Sequence, residues 1–85
     1  MSRRGPTAQT NFSGARLREL RLARGWSRSL LAVASGCSWT SIGDYERGYR
    51  ADTGAATFPS AESALRLAAA LGVELDDLLV RERHR

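Results

Sequence analysis

The sequence predicts a small all-α domain of five helices, and three observations predict it. Apolar residues recur at helical spacing between Leu17 and Leu71, and no stretch alternates with the period of a strand. Glycine follows a helical stretch at positions 25, 36, 48 and 72. Apolar pairs bracket four of the helix starts at the N′ and N4 positions: Phe12 with Leu17, Trp26 with Leu31, Cys37 with Ile42, and Val73 with Leu78. These signals are independent and agree, as they do in a sequence that specifies one fold.

In chain order, residues 1–12 are polar and basic, contain Gly5 and Pro6, and read as a flexible arm ahead of a domain over 13–80. The first helix starts at Ser13, whose hydroxyl can accept from a free N–H of the first turn, and runs to Arg24 before Gly25. Leu17 and Leu20 form its inner stripe, with Leu22 and Ala23 beside it, and Arg16, Arg18 and Arg24 can stay in water. Arg21 stands one turn after Leu17 on the inner side, so it needs a partner if it is covered.

Ser27 caps a second helix over Arg28–Ser35. Leu30, Leu31, Ala32 and Ala34 make it mostly apolar, as a helix wedged between others would be. Arg28 at its first position is disfavoured by the helix dipole unless an anion docks there. Gly36 can take the left-handed conformation that ends a helix without a Cβ clash. Ser38 caps the third helix, which Gly48 closes. Here Ile42 and Tyr45 point one way, with Cys37 just ahead of them, while Trp39, Thr40, Gly43, Asp44 and Arg47 point the other. That outward set is not an ordinary solvated face. A mid-helix glycine is less stable than alanine by about 1 kcal/mol, which suggests that something approaches Gly43 closely.

Residues 49–58 read as a loop that is long for so small a domain. The fourth helix begins near Pro59-Ser60 and ends at Gly72, with Ala61, Ala64, Leu65, Ala68 and Leu71 as its stripe and Leu67 alongside. A fifth helix follows, with Glu74, Asp76 and Asp77 on its first turn. Leu75, Leu78, Leu79 and Val80 give it more apolar surface than a short terminal helix usually needs: either they cap the core or they join two copies. Residues 81–85 form a polar tail.

Eighty-five residues make one domain. No apolar run spans a bilayer, and the N-terminus lacks the apolar stretch of a signal peptide, so the chain is expected in the cytoplasm. Cys37 is alone and reads as a small buried apolar residue. His84 is the single histidine, and it falls in the tail; Asp76 and Asp77 diverge on a helix; Ser27 and Ser38 are caps. No enzyme, metal site or cofactor is expected. All thirteen basic residues are arginine. Residues 1–50 hold nine of them against Glu19, Asp44 and Glu46, a balance of +6, while residues 51–85 hold four against six acids, a balance of −2. This asymmetry fits a polyanion-facing side or a merely arginine-rich surface, and charge alone does not choose. Two short helices joined at Gly36 have the plan of a helix-turn-helix, which lays its second helix in the major groove of DNA.

Residues 14–80 resemble the lambda-repressor and Cro-type helix-turn-helix family, also called the Xre family, through RLRELRLARGWS, LLAVASGCSWTSIGDYERG and PSAESALRLAAALGVELDDLL. The resemblance implies a five-helix fold and sequence-specific binding of double-stranded DNA, usually as a dimer. It implies base reading at Trp39, Thr40 and Asp44, with Ser38 near the groove edge and Gly43 on the same surface. It implies phosphate contacts at Arg28, Ser41 and Arg47 and on the loop after Gly48, at Arg50. It also implies a structural pair between Arg21 and Glu46. The sequence departs from the family at Arg28, often glutamine there, at the Trp39–Gly43–Asp44 surface, and in the length of loop 49–58. Arg3 and Arg4 on the arm could reach a minor groove. Two functions follow as expectations: a regulator, expected to be a repressor, that reads DNA with helix 38–47, or a protein-interaction module that grips a partner through Trp39, Gly43 and Asp44. A homodimer through Leu75, Leu78, Leu79 and Val80, or formed on DNA, is the expected assembly.

Overall fold

The computed structural model describes residues 12–80; the expected arm contacts at Arg3 and Arg4 and the tail 81–85 lie outside the described residues. Four α-helices follow in order: α1 Gly14–Ala23, α2 Arg28–Ser35, α3 Trp39–Arg47 and α4 Ala61–Leu71, then a 3₁₀ turn over Leu75–Leu78. The class is all-α, as the periodicity requires. The four serines at positions 13, 27, 38 and 60 each accept a hydrogen bond from the N–H three residues on, at Arg16, Leu30, Ser41 and Ser63. A cap of this kind contributes about 1 kcal/mol. At the turn between α2 and α3, Gly36 has φ 79°, a conformation that strains any residue with a Cβ.

The core lies where the inner faces meet. Leu17, Leu31, Ile42, Leu67, Leu71 and Leu78 are fully buried, with Ala64 and Ala68 letting α4 approach closely. Phe12, one residue ahead of the expected boundary, is core as well, edge-on to Tyr45 with ring centroids 6.4 Å apart. The start of α1 also lies against the end of α3. A Cβ built on Gly14 would collide with the carbonyl oxygens of Tyr45 and Glu46, the latter at 2.6 Å. Nothing in the local sequence announces that contact.

Several expectations are corrected. The fifth helix is only the 3₁₀ turn. Glu74 and Asp77 close that turn by a reciprocal capping box, and Leu78 drops into the core. The chain then straightens at once, because Leu79 pairs with Phe12 and the Leu78 carbonyl accepts from Ser13 N–H at 2.7 Å. Pairing with the first described residues captures backbone groups that a further helical turn would have used. Helix α2 packs against both α3 and α4, but with one face only: it buries Leu31 and Ser35 and leaves Leu30 and Val33 out, Val33 at 81 % exposure. Leu65 on α4 and Leu22 on α1 are likewise exposed. Two arginines expected in water are used: Arg24 donates to the Leu71 carbonyl at 3.0 Å, and Arg16 donates to the Asp77 carbonyl at 3.2 Å.

The long loop 49–58 is a small hairpin. Tyr49 pairs with Ala56, Arg50 N–H donates to the Ala55 carbonyl at 2.8 Å, and Thr57 N–H donates to the Gly48 carbonyl at 3.1 Å. Pro59, fully buried, anchors its return. Apart from isolated pairs of this kind, no strand occurs among the described residues.

Candidate nucleic-acid interface

Helix α3 carries most of the expected contact residues, and its orientation is fixed from beneath by one carboxylate. The Glu46 side chain is 1 % exposed. Arg21 grips it with two parallel bonds, Nε to Oε2 at 2.6 Å and Nη2 to Oε1 at 3.0 Å, while Arg21 Nη1 donates to the Trp26 carbonyl at 2.9 Å. The pairing by Glu46 raises the Arg21 pKa, so that guanidinium stays charged although burial works against it. The covered Arg21 thus has the partner that its position demanded. Arg28, from the first position of α2, donates to the same carboxylate at 3.1 Å.

Above this base, the sequence-predicted residues separate into groups. Trp39 is 56 % exposed and Thr40 is exposed beside it. Ser38 is exposed too, and its hydroxyl donates to Ser41 Oγ at 2.9 Å. Arg28 and Arg47 keep about a third of their side chains in solvent. Gly43 is buried, and the groups that come close to it are the chain's own: a Cβ there would lie 3.4 Å from Arg47 Nη1 and 3.9 Å from Arg28 Nη1. A hollow of about 230 Å³ opens at this spot, lined by Trp39, Thr40, Gly43, Asp44, Ala51, Arg28 and Arg47, and largely apolar.

Asp44, expected among the base-reading residues, lines the hollow but is only 8 % exposed. Its oxygen Oδ1 pairs with Arg47 Nη2 and accepts from Ala51 N–H at 3.3 Å. The hairpin folds back over it, which the sequence of α3 does not reveal. The hairpin also carries Arg50, exposed and bonded twice to Asp52 at 2.9 and 3.1 Å. This pairing raises the Arg50 pKa and holds the Asp52 carboxyl below its usual range. Each arginine expected to meet phosphate, Arg28, Arg47 and Arg50, is therefore already paired with a carboxylate.

Residues that the sequence reading did not select also belong here. Tyr49 lies under the Arg47 guanidinium, 5.7 Å from ring centroid to carbon, and Ala51 and Asp52 flank a groove of about 330 Å³ beside Ser38 and Ser41. Spacing offered a signal only for Asp52, two residues after Arg50. Among the described residues no cluster of three potential metal ligands occurs, and no helix is long and apolar enough to cross a membrane.

Comparison with known proteins agrees with this geometry. The family model described as Helix-turn-helix matches residues 17–78. A solved structure, the crystal structure of the restriction-modification controller protein C.AhdI from Aeromonas hydrophila, is similar at 41% identity with a TM-score of 0.67, covering 78% of this chain and 89% of that one. No curated protein matches the chain. The chain belongs to the lambda-repressor and Cro-type helix-turn-helix family of DNA-binding transcriptional regulators.

Proposed function

We propose that this protein is a sequence-specific reader of double-stranded DNA that represses by occupying a promoter, with α3 in the major groove. The observation that carries the reading is the exposed Trp39 indole beside an apolar hollow, on a helix flanked by Arg28, Arg47 and Arg50. Trp39 and Thr40 read bases in it, with Ser38 and Gly43 at the groove edge. Arg28, Ser41, Arg47 and Arg50 hold phosphates, the arginines by planar forks suited to paired oxygens. The likeness to a restriction-modification controller supports a regulatory role in a system of that kind, acting in the cytoplasm.

Selection of bound duplexes from a random pool tests this. An enriched site with two-fold symmetry is expected, with half-sites about one helical turn apart. No enriched motif at any salt would defeat the reading. Three arginine contacts per copy lead to a log–log salt slope near −3 per protomer, since each phosphate neutralised contributes roughly −0.9, and Arg50→Ala should flatten it by about 1. The hollow beside Trp39 suits a thymine methyl. Replacing the contacted thymine by uracil in the selected site should weaken wild type about fourfold, from roughly 0.8 kcal/mol per buried methyl, and leave Trp39→Ala nearly indifferent. Equal weakening of both proteins would remove Trp39 from base reading.

The proposed dimer uses Leu75, Leu79 and Val80; Leu78 serves the monomer core. Light scattering showing only monomer well above micromolar would confine dimerisation to DNA. A second reading, a protein-interaction module, is favoured by the same exposed indole, since Trp is enriched at interface hot spots. A Trp39→Ala protein that binds its duplex normally but loses a protein partner would establish it.

A further inference from the structure

Two features of the α3 surface are not accounted for by base reading: a covered carboxylate and a ten-residue hairpin lying against the helix. Asp44 joins them. The same oxygen receives Arg47 from its own helix and the Ala51 N–H from the hairpin. Arg47 in turn rests over the ring of Tyr49, where the hairpin begins. A covered carboxylate that accepts two donors fixes both, because neither bond is easily replaced by water. The result is a closed ring of contacts from the last turns of α3 into the hairpin. It holds Arg50 across the groove from the helix start at Ser38–Ser41.

The geometry points to Asp44 as a positioning residue that locks hairpin 49–58 to α3, making hairpin and helix one composite contact surface in which the hairpin edge at Arg50 is the second wall. This rests on the DNA-binding reading. Asp44 contacts no base; it acts through Arg47 and Ala51. Removing it then has two opposed effects. One anion fewer near phosphates tightens binding to any duplex. A hairpin and an Arg47 no longer set in place weaken binding to the cognate site. The quantity that isolates positioning is therefore the ratio of cognate to scrambled-duplex affinity, not either affinity alone.

The test compares full-length wild type, Asp44→Asn and Asp44→Ala on the selected duplex and on a scrambled one, with amide exchange at Ala51 followed by NMR. Asparagine keeps an acceptor for the Ala51 N–H and the size of the side chain; alanine keeps neither. Both variants should bind the scrambled duplex more tightly than wild type. Asp44→Asn should keep most of the ratio, and Asp44→Ala should lose about tenfold of it, the size of one or two lost hydrogen bonds. Exchange at Ala51 should accelerate in the alanine variant alone, and Arg50→Ala should weaken cognate binding less in the Asp44→Ala background than in wild type. An Asp44→Asn protein that selects a different base at one position would overturn the proposal in favour of direct reading. So would unchanged ratio and unchanged Ala51 exchange in Asp44→Ala. A wild type that selects no duplex overturns the DNA reading instead; Ala51 exchange unaltered by Asp44→Ala would then sink the locking role separately.

Discussion

Glu46→Ala should leave the domain at the edge of unfolding at room temperature, with a substantial unfolded fraction. The substitution strands the Arg21 guanidinium in the interior and deletes three charge-assisted hydrogen bonds, two from Arg21 and one from Arg28. Breaking a buried pair by removing one partner destabilises by about 3–5 kcal/mol. A domain of this size has total stability toward the low end of about 5–15 kcal/mol, so the loss is comparable with the whole. Urea denaturation followed by circular dichroism measures it. Glu46→Gln, which keeps an acceptor for Arg21, should fall between wild type and alanine. An apolar pair, Arg21→Met with Glu46→Met, should recover much of the alanine loss, because the unpaired charge rather than the missing attraction dominates the penalty. A loss below about 1 kcal/mol for Glu46→Ala would mean that solvent reaches Arg21 and that the ion pair is not what fixes α3.

Gly14→Ala should lower the melting temperature, although helix propensity argues for the opposite sign. In an open helix, alanine is favoured over glycine by about 1 kcal/mol. Here the added Cβ meets the main-chain carbonyls of Tyr45 and Glu46, which cannot swing aside as a side-chain end can. Overpacking of this kind costs about 1–3 kcal/mol net, through displacement of α1 from α3. Valine in place of alanine should be worse, since it also crowds the first turn. Calorimetry on the three proteins decides the sign. A stabilised Gly14→Ala would show that α1 shifts freely, and that the α1–α3 contact does not set the tilt of the contact helix.

The two sites differ in how far the sequence reveals them. Arg21 was legible as a problem, a charge on the inner face of α1 in want of a partner, and the family resemblance supplied Glu46. Gly14 was not legible, because a glycine at a helix start reads the same whether or not another backbone passes 3 Å away. The covering of Asp44 is not legible, for a related reason. Its helical position puts it beside Trp39 and Thr40, facing outward, and only the return of the hairpin covers it. The composition of residues 49–58 signals only a long loop; the pairing of Tyr49 with Ala56 and the burial of Pro59 just after it depend on α3 and α4 being in place. Leu30 shows the converse case, in which apolar character suggests burial and packing leaves the side chain outside.

By itself the sequence determined the helices and their ends, from Ser13 to Gly72, and the division of α3 into an inner and an outer face. Caps, glycine stops and a 3.6-residue period are written within a few neighbouring residues, so they can be read without knowing which distant segments meet. Tertiary structure alone decided the extended run at Leu79, the hairpin, the burial of Asp44 and the closeness of α1 to α3. Each of these depends on groups far apart in the chain, and whether a backbone amide or a carboxylate finds a partner is settled only when the core has closed.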